Sequence, residues 1–389
     1  MNNSIPKVVI TKLPRTPYYE WFILGFYMLE EQGLIKFKMH VDWVNQLAKI
    51  TDNDYIIGGL RHYFQKNHFR NGNLEGYIEI HHDKKYFCID SADSPFIFSS
   101  RLLNKVSVYF KMQCPIHFEK EGFALNDNIR IPYIDYEYIN GKDGERKLCE
   151  NLFENIDKIR PLMVGARRLS YGISYKFLKK AYINYKNSSV KEPSKKLMCY
   201  FGNALGPKES TIDSHIDYTK ESSLVTRFKG KLHHPNEKRK IAVDIIKSMG
   251  AQYDARLINE SNSDNGKKVS HPELVVPLEK FCDHIANFEY NLNISGYRLS
   301  IPNRFIESFV AGTAILTDKL ALKWYKPFGK EVVETVPMGY LLNEKVNWEE
   351  FKKDVHNLPA VSKEVILEEF EEKWAPKVVA RYIIKEILK

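Results

Sequence analysis

The stretch FEYNLNISGYRLSIPNRFIESFVAGTAILTD, from Phe288 to Asp318, places a helical segment between two strand-like runs. FEYNLNIS reads as a strand, and the apolar periodicity that follows Pro302 predicts a helix that ends at Gly312. AILT then reads as the next strand. A helix that joins two strands is typical of a parallel sheet covered by helices. The stretch therefore predicts an α/β fold.

A single glutamate lies in this otherwise apolar helix. Arg304, Glu307 and Ser308 are spaced i, i+3 and i+4, so we expect them to share the face opposite the apolar stripe. Ligands of open α/β sheets bind at the carboxyl ends of the strands, where helix N-termini point. There Glu307 can accept two ribose hydroxyls and Arg304 can hold a phosphate. An internal Arg–Glu pair on a solvated face explains the same spacing equally well.

The rest of the chain repeats the alternation of strands and helices. In the second half, LMCYFG and AQYDARLI read as strands on either side of a helix opened by Pro235. In the first half, a helix runs from Thr16 to Gly33. Strand-like runs of the first half lie at 7–10, 34–41, 55–59, 76–82, 86–90 and 106–112. The pattern predicts two Rossmann-like lobes, each with a parallel sheet.

Breaks in the pattern predict the boundaries between the lobes. NSSVKEPSKK, residues 187–196, is polar and contains Pro193, which is typical of a linker. The lobes are then residues 1–186 and 197–389. Asn347 and Glu350 are spaced to cap a late helix, and Pro376 is predicted to kink the last helix, which we expect to pack back on the first lobe.

Composition restricts the class of partner. The chain has 389 residues, a formal net charge of +9 and five widely separated cysteines. The charge suits a nucleic acid, an anionic membrane or a phosphorylated small molecule, although abundant Lys, Asn, Ile and Tyr can also reflect a compositional bias. The cysteines form no C-x-x-C and indicate neither a disulfide framework nor a zinc site. The apolar run from Tyr18 to Leu29 is too short to span a bilayer, so we expect a cytoplasmic protein.

The order FEYNLNIS, RFIESFVAG, TAILTD resembles the nucleotide-binding lobe of GT-B glycosyltransferases, whose two lobes face a cleft. It is similar to the C-terminal part of exostosin-like enzymes and, more distantly, to the α1,3-fucosyltransferases. The resemblance covers roughly residues 197–340. It implies that Glu307 binds the ribose of a nucleotide-sugar donor, with Ser308 beside it, and that Arg298 and Arg304 bind the diphosphate.

Two further segments are candidates for phosphate binding, and the first of them resembles a part of these enzymes. The resemblance of VTRFKGKLHHPNEKRK implies that Arg227, Lys229 and Arg239 contact the pyrophosphate, where fixed cations stabilise the leaving group; solvated loop charges are the alternative. At the start of the loop NALGPK, Asn203 and the preceding Gly202 can bring backbone N–H groups close to phosphate or sugar. An ordinary turn after the strand explains these two residues equally well.

An inverting transfer also needs a base, which in GT-B enzymes often comes from the first lobe. Asp90 ends the run YFCID and Asp93 follows it, so these two are the candidates, with an Asx turn before Pro95 as the alternative. His81 and His82 are neighbours on a strand and point to opposite faces, which disfavours a joint metal site. The one D-x-D, residues 52–54, reads as a turn, and we expect metal-independent chemistry without a cofactor.

The sequence thus predicts a hexosyl- or fucosyltransferase-like enzyme that uses a UDP- or GDP-linked donor and a glycan or lipid-linked acceptor, in bacterial surface polysaccharide, lipopolysaccharide or capsule assembly. The basic and aromatic segment at 166–186 reads either as a surface helix with its aromatics packed inward or as a patch that faces an anionic membrane or an acidic acceptor. Peripheral contact with the inner face of the cell membrane follows from the second reading. The alternative function is a non-catalytic basic protein that binds nucleic acid or glycan, but no basic stripe or known binding fold supports nucleic acid.

Overall fold

A computed structural model gives the fold. It describes residues 5–12, 17–39, 77–126, 129–139, 147–166, 174–187, 196–204, 235–261, 267–269, 271, 273, 278–296, 299–336 and 347–389.

The strands form two six-stranded sheets and three two-stranded ones. In chain order they are β1 (Lys7–Lys12), β2 (Lys36–Met39), β3 (Tyr77–His82), β4 (Lys85–Asp90), β5 (Ile97–Phe98), β6 (Val108–Lys111), β7 (Cys114–Pro115), β8 (Phe123–Asn126), β9 (Ile129–Ile131), β10 (Ile134–Asp135), β11 (Ile159–Pro161), β12 (Lys196–Ala204), β13 (Tyr253–Ser261), β14 (Lys267–Val269), β15 (Phe288–Asn293), β16 (Ala314–Thr317), β17 (Leu322–Lys323) and β18 (Val333–Thr335).

The helices cover these sheets and connect them. They are α1 (Glu20–Glu31), α2 (Ser100–Lys105), α3 (Tyr136–Ile139), α4 (Tyr175–Asn187), α5 (Pro235–Ser248), α6 (Leu278–Ile285), α7 (Arg304–Ala311), α8 (Trp348–His356), α9 (Lys363–Glu369) and α10 (Pro376–Leu388). Two 3-10 turns, Pro17–Tyr19 and Phe153–Lys158, and a π-helical turn, Phe370–Trp374, complete the set. Of the described helices, none has both the length and the apolar character needed to cross a bilayer.

The first sheet has the order β11-β6-β4-β3-β1-β2 and is mixed rather than parallel. β3 pairs antiparallel with both β1 and β4, while β4, β6 and β11 run parallel. The prediction of a wholly parallel first sheet is therefore wrong. The cause is local: Asp83 adopts a left-handed backbone (φ 51°), which aspartate tolerates, so the chain turns straight back from β3 into β4. The predicted strand at 55–59 lies outside the described residues.

The second sheet has the order β14-β13-β12-β15-β16-β18, and β14 is its only antiparallel member. Here the predicted α/β class is confirmed. α5 packs on β12 and β13, and α7 packs on β15 and β16. Gly312 ends α7 in the left-handed region (φ 67°), where glycine carries no steric cost, and the chain enters β16 at once.

The C-terminal helices contact elements of the first sheet. The Trp21 indole on α1 donates to the carbonyl of Trp374 (3.0 Å), just before α10. A Cβ on Gly25 would lie 2.2 Å from the carbonyl oxygen of Pro376, so only glycine allows α1 and α10 this approach. The kink predicted at Pro376 is not confirmed, because this proline is the first residue of α10 and Ala375 before it is extended.

Other predicted features of the chain path have different outcomes. The predicted cap is confirmed: the Asn347 side chain accepts the N–H of Glu350 (3.2 Å). Most of the linker predicted at 187–196 lies outside the described residues. A buried amide joins the two large sheets, since Gln113, just after β6, both donates to and accepts from the backbone of Ile301 (3.0 Å each) in the approach to α7.

Candidate functional site

The carboxyl ends of β12, β15 and β16 meet the first turns of α5 and α7 at one edge of the second sheet. Parallel strands all end at the same edge, and the helices that connect them point their N–H groups toward it. The charged side chains of α5 and α7 that reach this edge define the candidate site.

Arg304, the first residue of α7, lies over an aromatic ring. Its guanidinium carbon is 5.8 Å from the ring centroid of Tyr200 on β12, within the range of a cation–π contact. Burial lowers the pKa of Arg304, and the positive charge of Arg239 lowers it further, although a guanidinium stays protonated at neutral pH. Within the described part of the chain, no carboxylate forms a salt bridge with Arg304. The cation is therefore partly desolvated, and although the negative charge of Glu307 raises its pKa, it has no carboxylate in direct contact among the described residues.

Arg239, on the second turn of α5, supplies a second such guanidinium. Its Nη1 donates to the backbone carbonyl of Asn203 at the end of β12 (2.7 Å). Within the described ranges its buried Nε has no hydrogen-bond partner, and no carboxylate there forms a salt bridge with it. Together with Arg304 it creates a surplus of positive charge at the sheet edge, where an anion can bind.

Gly202 makes room for the ring beneath Arg304. Residues 200 and 202 lie on the same face of β12, and a Cβ on Gly202 would lie 2.3 Å from the hydroxyl oxygen of Tyr200. Tyr200 is fully buried, so its ring could not move aside easily. The β12–β13 register also shifts between Gly202 and Asn203. The glycine thus has a packing role at the site in addition to the predicted approach of its backbone to a ligand.

A buried ion pair fixes the start of α5. Lys238 donates to Asp318, the residue after β16 (3.1 Å), and both side chains are almost fully buried. Asp318 also accepts from the backbone N–H and the hydroxyl of Ser295, after β15 (3.2 and 2.8 Å). The network ties two strand ends to one helix, and Arg239 is the next residue on that helix. Sequence reasoning missed this pair, although its aspartate ends the quoted stretch.

Glu307 is buried in α7 and accepts a hydrogen bond from the side-chain amide of Asn303. It forms no salt bridge with Arg304, so the internal Arg–Glu pair that explains the same spacing is not formed. Ser308 is fully buried, accepts from Asn291 on β15 (2.9 Å) and donates to the Arg304 carbonyl (2.8 Å). Ser308 thus faces the sheet and not the open face expected beside Arg304, because α7 packs on the sheet on one side and on α6 and α9 on others. Its role as a donor ligand stays a prediction.

Three predicted phosphate ligands, Arg298, Arg227 and Lys229, lie outside the described residues. The same is true of the D-x-D at 52–54. They stay predictions. Over the ranges that the structure describes, no three His, Cys, Asp or Glu side chains are grouped as a metal site.

The carboxyl edge of the first sheet holds the two candidate bases in different states. Asp90 is buried and accepts from Lys111 (2.9 Å), from the Tyr109 hydroxyl and from the N–H of Ala92 (2.7 Å), the last an Asx turn. Lys111 is itself fully buried. Asp93, three residues past the end of β4 in the loop, is exposed. Of the two, only Asp93 has a carboxylate that an acceptor hydroxyl could reach.

The basic and aromatic segment folds as α4 with its aromatic residues inward. Tyr182 and Tyr185 are buried, and both pack on Trp21 of α1. Lys179 pairs with Glu31 (2.7 Å) and Lys186 pairs with Glu371, so part of the basic charge of this helix is neutralised. The reading as a surface helix with packed aromatics fits these contacts.

No protein family model matches the chain, and no curated protein matches its sequence. Among solved structures it is similar to a GtfA/B complex, with a TM-score of 0.33 and 12% identity over 74% of this chain and 54% of that one. It is also similar to the pneumococcal O-GlcNAc transferase GtfA in complex with UDP and GlcNAc, with a TM-score of 0.28, 12% identity and the same coverage of 74% and 54%. The chain spans about half the length of these structures. TM-scores this low establish neither a shared family nor a shared activity.

Proposed function

We propose that the chain is a glycosyltransferase with two lobes in a GT-B arrangement, which transfers a sugar from a nucleotide-sugar donor to a hydroxyl. One observation carries the proposal: Arg304 and Arg239 bring two guanidiniums without carboxylate partners to the carboxyl edge of a parallel sheet. A nucleoside diphosphate supplies the missing negative charge, and one arginine can donate two parallel hydrogen bonds to two phosphate oxygens.

The proposed chemistry follows from charge. When the bond to the sugar breaks, negative charge develops on the diphosphate, and cations already fixed at that place stabilise the transition state without reorganisation. The Lys238–Asp318 pair keeps α5, and with it Arg239, in place. Arg298, Arg227 and Lys229 are proposed to complete the diphosphate site, and Glu307 to bind the ribose hydroxyls.

The other half of the reaction is assigned to the first lobe. Asp93 is the proposed base, because it is exposed at the carboxyl edge of the first sheet while Asp90 is held by Lys111. The proposed donor is UDP- or GDP-linked, the chemistry metal-independent and the acceptor a glycan or lipid-linked glycan in surface polysaccharide, lipopolysaccharide or capsule assembly. The proposal includes an exostosin-like or fucosyltransferase-like specificity. It also places the enzyme in the cytoplasm, where it acts at an anionic membrane.

A thermal-shift screen against UDP, GDP, CMP and their common sugar conjugates, with and without EDTA, tests the proposal. A ligand that binds only the native state raises its stability by RT ln(1 + [L]/Kd), about 2.7 kcal/mol at a hundredfold excess over Kd. We expect a shift with one nucleotide family that persists in EDTA. No shift with any nucleotide, together with salt-sensitive binding to DNA or RNA, would support the alternative function as a basic nucleic-acid-binding protein.

The proposed base has its own test. Asp93→Asn should lower the rate of sugar transfer by about 10²- to 10⁴-fold, the usual contribution of a general base, and leave donor affinity unchanged. Transfer assays with the donor identified in the screen measure both quantities. Full activity of the variant would exclude Asp93.

A further inference from the structure

A second surface lies between the end of α1 and the second half of α10. The two helices run side by side in the same direction: Trp21 contacts Trp374 near their starts, and Arg381, in the middle of α10, donates to the side chain of Gln32 (3.2 Å), just after α1 ends. A groove of about 390 Å³ opens beside this contact. Leu29, on the last turn of α1, forms part of its apolar wall.

Two leucines at the rim of the groove are unusually exposed for their size. Leu34 is 48% exposed and Leu388 is 49% exposed. Leu34 is held by the turn after α1, in which Gly33 has a left-handed backbone and the Leu34 N–H donates to the Leu29 carbonyl (3.0 Å). Exposed apolar side chains that adjoin an apolar groove mark an interaction surface, whereas scattered ones do not.

Basic side chains surround this apolar patch. Arg381, Lys385 and Lys389 follow one another at four-residue spacing along α10, and all three line the groove. The nearby carboxylate of Glu386 is held inward by Arg160 (3.0 Å) and Lys389 (2.6 Å). Lys385 forms no salt bridge with any described residue. The patch therefore combines exposed leucines with a surplus of positive charge.

We propose that this surface, formed by Leu34, Leu388, Lys385 and Lys389 around the groove and called here the α1/α10 end, docks the protein on an anionic phospholipid bilayer. Exposed leucines enter the boundary between headgroups and acyl chains, and lysines are attracted by the negative surface potential. The positive charge of this surface therefore favours a bilayer with negatively charged headgroups as its partner. At the α1/α10 end Lys389 is paired with Glu386, but Lys385, unlike Lys179 and Lys186 of α4, forms no salt bridge with any described residue.

The proposal rests on the proposed function only for the reason the protein would visit a membrane. Its test contains neither donor nor acceptor, so the docking surface and the transferase activity can fail separately. The test is co-sedimentation of the full chain with vesicles of phosphatidylcholine, alone or mixed with phosphatidylserine. We expect binding to the mixed vesicles that weakens with added salt, and little binding to phosphatidylcholine alone.

Two variants and a control locate the surface. Leu34→Gln with Leu388→Gln should weaken binding to the mixed vesicles by about tenfold or more, because the buried apolar area is lost. Lys385→Gln with Lys389→Gln should weaken it severalfold and reduce its salt dependence. Ile183→Gln on α4, where the side chain is 50% exposed and also stands among lysines, is the matched control and should bind like the wild type.

Three results would overturn the proposal. They are absence of wild-type binding to mixed vesicles, equal binding to phosphatidylcholine alone, and a loss in Ile183→Gln as large as in the leucine double variant. Circular dichroism and the melting temperature of each variant show that it is folded. All four side chains of the α1/α10 end lie at least partly in solvent, so these substitutions should not disturb the core.

Discussion

The carboxyl edges of the two large sheets differ in whether their buried charged side chains are paired. At the first edge, Asp90 and Lys111 neutralise each other, and the hydroxyl of Tyr109 donates a further hydrogen bond to the Asp90 carboxylate. The second edge also contains a neutralised pair, Lys238 and Asp318. Beside that pair lie Arg239 and Arg304, which form no salt bridge with a described carboxylate. Burial of charge alone therefore does not distinguish a ligand site from a structural network. An excess of buried positive charge over negative charge indicates a site for an anionic ligand.

The difference has an energetic meaning. A buried charge without a counterion costs free energy, and a protein keeps such an arrangement where a ligand offsets the cost. A paired charge has already been compensated within the protein and gains little from a ligand. The first edge should therefore matter for stability, and the second edge for binding.

The largest effect is expected at the paired edge. Asp90→Asn leaves Lys111 buried without a counterion, and breaking such a pair should lower the free energy of unfolding by about 3–5 kcal/mol. Urea denaturation measures the change, with the exposed Asp93→Asn as a control that should unfold like the wild type. If Asp90→Asn were as stable as the wild type but inactive in transfer, Asp90 would be the base and the contrast between the edges would be lost.

At the surplus edge, Arg304→Gln should act on binding instead. Loss of a charged hydrogen bond to phosphate should weaken nucleoside diphosphate binding by about 1.5–3 kcal/mol, roughly 10- to 100-fold, with little change in stability. Lys240→Gln removes the same charge from an exposed position on α5 and should have almost no effect. Calorimetric titration compares the two variants. Equal losses of affinity in both variants would mean that the net charge of the protein, and not the position of Arg304, determines nucleotide binding.

Glu307 sharpens the contrast by separating ribose from phosphate. Glu307→Ala should weaken donor binding by about 1.5–3 kcal/mol while the fold stays intact. If the carboxylate binds the ribose hydroxyls, the loss should appear with the ribonucleotide and vanish with its 2′,3′-dideoxy analogue. A variant that unfolds while donor affinity is unchanged would show that the glutamate is structural.

The smallest effect is expected at the amide that joins the edges. Gln113→Ala removes both hydrogen bonds to the Ile301 backbone and should lower stability by about 1 kcal/mol. Since Ile301 leads into α7, donor affinity should fall slightly as well. Gln113→Glu should be less stable still, because it buries a carboxylate oxygen against the carbonyl of Ile301. Stability that falls while donor affinity stays unchanged would show that the two edges are energetically independent.

Local sequence signals predicted much of the second sheet. The strand FEYNLN, the helix, its glycine stop and the strand AILT all lie where the pattern places them, because apolar periodicity and a left-handed Gly312 act within a few residues. The position of Arg304 at the helix start could also be predicted. Its lack of a carboxylate partner could not, because that depends on which distant side chains come near.

The misses have the same cause. The Lys238–Asp318 pair joins residues 80 positions apart, and no local pattern couples them. Ser308 was assigned to the wrong face because helical spacing shows which residues are neighbours, not how many sides of the helix are covered. In the first sheet, the turn at Asp83 contains none of the usual Asn-Gly or Asp-Gly pairs, so the antiparallel hairpin was not predicted.

The most direct test of the central claim is a crystal structure of the protein with the nucleoside diphosphate that gives the largest thermal shift. We expect diphosphate oxygens within hydrogen-bond distance of the guanidiniums of Arg304 and Arg239, beside the end of β12. A diphosphate bound at the Asp90–Lys111 edge, or anywhere else away from these two arginines, would contradict it.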